Sequence, residues 1–474
     1  MYVIGLLLTV LSIGMVLPML ADIYSGSSDW KVFLLCIVIT AFFGGSLVLS
    51  NAHQELKINV RQAFMLTVLS WLMIAAFGAL PFYLSELQLS ITDSFFEAMS
   101  GVTTTGSTVI TGLDDAPPGI LLWRGILQWL GGVGVILMAM SIMPFLNVGG
   151  MQIFRTELSE NEKVLPRAAQ LASSISMIYV GLTVLCMISY MFAGMGVFDA
   201  IVHAMTTIAT GGFSTFDSSF GHYDAPWTEM VAIIFMIAGG LPFILYLQAM
   251  GGNARPLFTD SQVRTFLTIV FSSIAVLSFY LIMNQDMTIF EAVRRSSFNV
   301  VSLITGTGFA NGDYGLWGGF AVALLFFLMV VGACAGSTSC GIKIFRFQVL
   351  ISVVQVQLKK LIYPNGVFIT RYNGKPIPKD VPMSVMGFFF LYAICFSAMA
   401  IALSYSGLDF LTAMSAAATS ISNVGPGLGS VIGPSGTFQS LPDIAKWICS
   451  IGMLVGRLEI FPILVMCSTY FWRD

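Results

Sequence analysis

Charge is scarce in this sequence. Asp, Glu, Lys and Arg make up 9% of its 474 residues, against about a quarter in a water-soluble domain. With 57% of residues hydrophobic, no single core would hide so much apolar surface. That excludes a soluble globular protein and requires an integral membrane protein. An excess of one sign is also lacking: 21 Lys and Arg face 24 Asp and Glu, which gives no case for a nucleic-acid partner. Histidine is limited to His53, His203 and His222, far apart in the chain, a pattern that argues against a histidine-built metal centre. The seven cysteines, Cys36, Cys186, Cys334, Cys340, Cys395, Cys449 and Cys467, are scattered and nearly all lie in apolar runs. They read as small buried hydrophobes, not as a disulfide or zinc framework. No nucleophiles, bases or metal ligands converge, so an enzyme is not expected. Residues 1–20 lack a basic leader and a small-x-small cleavage site, and are expected as a retained helix.

What is present is a repeat. Thr103-Thr104-Thr105-Gly106, Ala209-Thr210-Gly211-Gly212, Thr305-Gly306-Thr307-Gly308 and Ser422-Asn423-Val424-Gly425 are variants of one loop, with anchor glycines spaced 106, 96 and 117 residues apart. Apolar runs long enough to span a bilayer, about 20 residues each, fall near 1–21, 32–50, 63–84, 119–147, 170–193, 227–250, 264–284, 315–333, 383–405 and 443–470. Shorter semi-polar segments at about 92–102, 197–208, 288–304 and 409–421 each lead into one anchor glycine. The unit is a spanning helix, a short re-entrant helix, a loop and a second spanning helix. It occurs four times after two extra helices.

The boundaries follow: 1–62 for the two additional helices, 63–150 for repeat 1, 151–253 for repeat 2, 254–378 for repeat 3 and 379–474 for repeat 4. The expected fold is all-α and polytopic, with four parallel helix–pore loop–helix repeats around a central pore. Basic residues such as Lys57, Arg61, Arg155, Lys163, Lys343, Arg346, Lys359, Lys360 and Lys379 are assigned to one alternating set of loops. Lys31, Arg124, Arg294, Arg295 and Lys446 are assigned to the other, together with many acids. The positive-inside rule places the first set, and the N-terminus, in the cytoplasm. All four short helices then enter from outside.

Such loops suit a cation. Irregular backbone at membrane depth must be buried in protein or line a water-filled path. A ring of carbonyls replaces the hydration shell of a monovalent cation, and glycine permits the dihedrals this needs. The C-terminal ends of the short helices add about half a negative charge each. Asp93, Asp199, Glu291 and Asp409 stand near the starts of these helices, where they act as caps, as a negative outer mouth, or as both. The basic link of about 343–382, with turns at Tyr363-Pro364-Asn365-Gly366 and Asn373-Gly374-Lys375-Pro376, reads equally as a linker at the anionic lipid surface and as a docking surface for a cytoplasmic partner.

At this point the chain resembles the Trk/Ktr/HKT superfamily of potassium transporters, and within it the TrkH/TrkG membrane subunits of bacteria. The residues that carry the resemblance are Phe95-Phe96-Glu97-Ala98-Met99-Ser100-Gly101, the four loops, Gln128-Trp129-Leu130-Gly131-Gly132, Gly332-Ala333-Cys334-Ala335-Gly336-Ser337-Thr338, Asn423-Val424-Gly425-Pro426-Gly427-Leu428-Gly429 and Gly456-Arg457-Leu458-Glu459. The likeness spans essentially the whole chain. It implies a potassium uptake subunit of the bacterial cytoplasmic membrane, with K+ as the transported ion and no organic cofactor. It also implies one pore per chain, a homodimer, and a cytoplasmic TrkA-type nucleotide-binding regulatory subunit. By matching position, the ion-coordinating backbone is expected at Thr104, Thr105 and Gly106, at Thr210, Gly211 and Gly212, at Gly306, Thr307 and Gly308, and at Asn423, Val424 and Gly425.

The run 332–341, with Gly332, Gly336, Ser337 and Gly341, interrupts what should be a spanning helix. It reads as a packing kink, and by resemblance as an intramembrane gating loop beneath the filter. Arg457 reads as a snorkelling arginine, and by resemblance as an electrostatic barrier in the pore. The ring is expected to be only approximately fourfold: the third loop is loosened by its extra glycine and the fourth is the least regular. Gated, channel-like permeation is the leading reading. The alternative is a secondary symporter coupled to H+ or Na+, which usually needs acids within the spans; only Glu459 qualifies clearly.

Overall fold

A computed structural model describes residues 1–52, 59–141, 164–378 and 380–473. Among these, seven helices are long and apolar enough to cross a membrane, and nine if two bent pairs are each taken as one span. The first span, Tyr2–Ser25, packs on the second, Trp30–Asn51. Glycines set their separation: a Cβ on Gly5 would lie 2.8 Å from the Gly44 carbonyl oxygen, and one on Gly44 3.0 Å from that of Gly5. Small residues at a crossing let two backbones approach this closely. The pair is pinned to the rest of the chain at one end. There the Asp22 carboxylate accepts from the Gly119 amide at 2.6 Å, and that of Asp29 from Glu86 at 3.3 Å.

The four units follow in order. Their first helices are Val60–Gly78, Val164–Phe192, Ser261–Asn284 and Asp380–Tyr405. Their short helices are Ile91–Val102, Val197–Ile208, Ile289–Thr305 and Phe410–Ser422. Ser90, Thr288 and Asp409 cap three of the short helices through side-chain oxygens. The four acids near these starts are all engaged. Asp93 binds Lys446 at 2.6 Å, Asp199 accepts from Thr215 at 2.7 Å, and Glu291 pairs with Arg295 at 2.9 Å. Hydrogen bonds from the Thr412 side chain and backbone hold the Asp409 carboxyl below its ordinary value. Capping and local pairing therefore account for these acids, and Lys446 and Arg295 offset part of the negative mouth.

The second helices depart from the continuous runs expected. In repeat 2 the run 227–250 is Pro226–Gly240 followed by Phe243–Met250, bent by 92°. In repeat 4 the run 443–470 is Asp443–Arg457 followed by Phe461–Cys467, bent by 112°. Gly239-Gly240-Leu241-Pro242 explains the first break, because proline supplies no amide donor and disfavours helix in the residue before it. Glu459 and Ile460 at φ 57° and 68°, just before Pro462, make the second. The expected interruption in repeat 3 is present: Gly319–Val331 ends, and the helix resumes at Ile344–Ile362. That helix leads to a hairpin pairing Arg371–Tyr372 with Lys375–Pro376. Several charges assigned to loops are instead buried on or beside helices: Arg124, Lys343, Arg346 and Lys446 are each at most 4% exposed. The charges Lys57, Arg155, Lys163 and Lys379, and the boundaries 150/151 and 378/379, lie outside the described residues.

Candidate ion pathway

The short helices end at the four anchor-glycine loops, and those loops share one backbone pattern. The residue two before each anchor has positive φ: Thr104 at 51°, Thr210 at 49°, Gly306 at 74° and Asn423 at 53°. The anchors do as well: Gly106 at 87°, Gly212 at 76°, Gly308 at 80° and Gly425 at 112°. The extra glycine of the third loop thus occupies a conformation that all four loops adopt, and does not mark a looser one.

The loops also touch in strict rotation. A Cβ added to Gly106 would lie 2.1 Å from the Gly211 carbonyl oxygen, and one on Gly212 would lie 1.9 Å from that of Thr307. One on Gly308 would lie 1.9 Å from the Val424 oxygen, and one on Gly425 2.8 Å from the Thr105 oxygen. Each anchor abuts the residue before the next anchor, and the fourth returns to the first. Two side-chain bonds close the same seam: Ser107 Oγ donates to the Gly425 carbonyl at 2.7 Å, and Asn423 Nδ2 to Thr105 Oγ1 at 2.9 Å. On one side of the ring lies an open vestibule of about 240 Å³, lined by all four anchors and by residues that follow them, including Ser107, Ala310 and Pro426.

Each loop is held from behind by groups that the sequence reading left without a role. Nine positions before the first three anchors stand Glu97, His203 and Asn299, all fully buried. Each reaches the strand of chain that leaves its loop. Glu97 accepts from the Val109 amide at 2.9 Å, His203 Nε2 meets Ser214 Oγ at 3.0 Å, and Asn299 bonds Asn311 at 2.6 Å. The fourth position is Ala416, and there Ser415 bonds the backbone of Leu428 instead. Arg124 pairs with Glu97 at 2.8 Å and donates to the Ser214 carbonyl at 2.7 Å, tying loop 1 to loop 2. Gln128 clamps loop 2, donating to the Gly211 carbonyl at 2.5 Å and accepting from Phe213 at 3.0 Å. The Gly211 carbonyl, expected to face the ion, therefore already has one protein partner; a carbonyl oxygen retains a second lone pair. The recurring offset of nine was the available signal.

The segment 332–341 lies on the face of the ring away from the vestibule. Gly332, Gly336 and Gly341 have φ of 75°, 76° and 79°. Gly332 and Gly341 pinch the segment into a loop, since a Cβ on Gly332 would lie 2.2 Å from the Cys340 carbonyl oxygen. Ser337 is turned inward, bonding the Cys334 carbonyl at 2.6 Å. The loop docks on the break of repeat 2 through Phe243 to Gly336 at 2.9 Å, and touches loop 2 through Thr210 to Thr338 at 3.1 Å. Arg457 is 1% exposed, so it does not snorkel. It donates to the Thr338 carbonyl at 3.3 Å, the Cys340 sulfur at 2.7 Å and the Gly131 carbonyl at 2.9 Å. Glu459 does not neutralise it. That carboxylate binds Lys343 at 3.2 Å and Arg346 at 2.5 Å, joining the breaks of repeats 3 and 4.

The family model described as TrkH, cation transport protein, matches residues 30–472. The chain belongs to the TrkH family. It is 43% identical to the Trk system potassium uptake protein TrkI of Halomonas elongata, over 100% of this chain and 96% of that one. It is 36% identical to the Trk system potassium uptake protein TrkH of Escherichia coli K12, over 100% and 98%. The crystal structure of the potassium transporter TrkH from Vibrio parahaemolyticus superposes with a TM-score of 0.92 at 34% identity, covering 100% of this chain and 98% of that one. The family is one of transporters, not enzymes, and this TrkH-family chain is a multi-span membrane protein whose helices and loops take the expected fold.

Proposed function

We propose that this TrkH-family chain is the potassium-conducting subunit of a Trk-type uptake system, with gated, channel-like permeation through the four loops. The observation that carries the reading is the closed rotation of contacts, Gly106 on Gly211, Gly212 on Thr307, Gly308 on Val424 and Gly425 on Thr105. Four segments about a hundred residues apart in sequence meet in order around one axis. Four helix C-termini, each about half a negative charge, aim at that spot and favour a cation. The ion is held by backbone oxygens of Thr104 to Gly106, Thr210 to Gly212, Gly306 to Gly308 and Asn423 to Gly425. Below them Arg457 and the loop from Gly332 to Gly341 form the gate.

Buried carboxylates bear on coupling. Glu459 is not the only one, since Asp22, Asp29, Glu97 and Glu229 are also buried. Glu97 and Glu459 are ion-paired, and Glu229 lies 3.4 Å from Arg294. Fixed cations beside Glu97 and Glu459 commit these two carboxylates to structural pairs, which supports uncoupled flow over symport with H+ or Na+. The N-terminus is placed in the cytoplasm of a bacterium. The chain acts as a homodimer with a TrkA-type nucleotide-binding ring, for which the basic hairpin after Ile362 supplies a contact surface. A proteoliposome assay tests the function: potassium flux down its own gradient is expected with sodium absent and no pH difference. Flux that appears only with one of those gradients overturns channel-like permeation in favour of a symporter.

A further inference from the structure

A second cavity, of about 420 Å³, lies beside the pathway, walled by three spans. Leu7 and Val10 come from the first helix, Trp71 from the first helix of repeat 1, and Gly131 and Gly134 from the second; Val102, just before loop 1, forms its floor. Its lining is almost wholly apolar, and Thr67 turns its hydroxyl back to the Ala63 carbonyl at 2.8 Å. One side is open, with Val10 51% exposed at the edge. The walls belong to the spans Tyr2–Ser25, Arg61–Leu84 and Pro118–Met138. The medium at the opening is therefore hydrocarbon. Water needs two to four polar partners to reside in a cavity, and this lining offers few.

We propose that the groove is an acyl-chain site, in which the tail of a membrane lipid bears on the two groups that hold the pathway arginine. Trp71 and Gly131 line the groove, and both also contact Arg457. The guanidinium lies 5.5 Å from the Trp71 ring centroid, and its Nη2 donates to the Gly131 carbonyl at 2.9 Å. Gly134 faces the indole across the groove, with Trp71 Cζ2 4.0 Å from where a Cβ would stand. A chain seated there fixes the indole from one side while Arg457 packs near the other. The site stands on the cavity alone; its influence on flow rests on the reading of Arg457 as part of the gate.

The test uses the full chain in nanodiscs of phosphatidylglycerol with brominated or ordinary acyl tails. Gly134→Leu fills the groove without meeting backbone, and Leu7→Phe fills it from the opposite wall should the first variant fail to assemble. Bromine quenches tryptophan on contact. The wild type is expected to lose more emission than either filled variant, by about the share of Trp71 among eight tryptophans. Equal quenching in wild type and filled variants overturns the site, as does a Val10→Cys chain that crosslinks to a second copy through this face. In proteoliposomes the filled variants are expected to change rubidium flux by about two- to thirtyfold, the usual range for mutations that alter coupling between sites, with potassium over sodium preference unchanged. Unchanged flux overturns the link to Arg457. Wild-type protein that passes no potassium counts against the conduit itself, and the quenching result then decides the groove alone.

Discussion

Replacing the anchor glycines one at a time by alanine should produce a graded loss of selectivity whose order the ring geometry dictates. A left-handed backbone conformation costs a non-glycine residue roughly 1–2 kcal/mol, and all four positions carry that cost, so it does not distinguish them. The contact does. A real Cβ essentially never stands closer than 3.0 Å to another heavy atom. At Gly106 the added carbon starts at 2.1 Å from the Gly211 oxygen, so that carbonyl must retreat by 0.9 Å. At Gly212 and Gly308 the start is 1.9 Å and the retreat 1.1 Å, while at Gly425 the start is 2.8 Å and the retreat 0.2 Å. A preorganised site tolerates displacements of about 0.5 Å. Gly106→Ala, Gly212→Ala and Gly308→Ala therefore exceed that tolerance, and Gly425→Ala stays within it. The expected result is a fall of about tenfold or more in potassium over sodium preference for the first three, equivalent to about 1.4 kcal/mol, with most of the preference kept in Gly425→Ala. The assay is paired rubidium and sodium tracer flux in proteoliposomes of equal protein content. Equal losses at all four positions, or an unchanged ratio in Gly212→Ala, would show that the seams between loops do not set ion preference.

Three further outcomes are expected. Arg457→Gln removes the charge of the proposed gate; at an effective dielectric of about 20 two unit charges repel by about 4 kcal/mol at about 4 Å and by less further apart, so basal potassium flux should rise about tenfold or more while Arg457→Lys keeps the barrier, and an unchanged flux in Arg457→Gln would refute it. Arg124→Met leaves Glu97 buried and unpaired at a cost of about 3–5 kcal/mol, whereas the double variant Glu97→Gln with Arg124→Met should recover much of it in thermal unfolding; strict additivity of the single losses would refute a direct pair. Glu459→Gln takes the shared carboxylate from Lys343 and Arg346 at once and should lower the unfolding temperature more than Lys343→Met, which leaves the Glu459–Arg346 bond intact; the reverse order would contradict the triad.

The fold was legible because its signals are periodic. The four glycine anchors, the short semi-polar helices before them and the spanning runs between them can all be read from single residues and their spacing. The interruption at 332–341 was visible for the same reason, as a glycine cluster in a run that had to span. The breaks after Gly240 and Arg457 were hidden, although Pro242 and Pro462 marked them, because the hydrophobicity on either side is continuous and a window of that width averages a bend away. Partnership was the harder part. Nothing local says that Glu97 meets Arg124, twenty-seven residues on, or that Glu459 chooses Lys343 and Arg346 over its near neighbour Arg457. Positive-inside counting treats every charge as a loop charge, and so it absorbed Arg124, Lys343, Arg346 and Lys446, whose burial depends on tertiary packing.

Those buried cations divide by the partners they find. Among the described residues five basic side chains are nearly inaccessible: Arg124, Lys343, Arg346, Lys446 and Arg457. Four of them reach a carboxylate, on Glu97, Glu459 or Asp93. Among the described residues Arg457 has no carboxylate within ion-pair distance; its partners are two carbonyls, a sulfur and an indole face. A buried charge without a counter-charge is costly and calls for a reason. Neutral acceptors steady the guanidinium but leave its field uncancelled, next to the ring proposed above as the cation site. Glu459, two residues on, does not supply a counter-charge: at the positive-φ turn of Glu459 and Ile460 that carboxylate binds Lys343 and Arg346. The anion at this turn thus holds repeats 3 and 4 together and leaves the arginine without a counter-charge, the condition that the proposed barrier role of Arg457 requires.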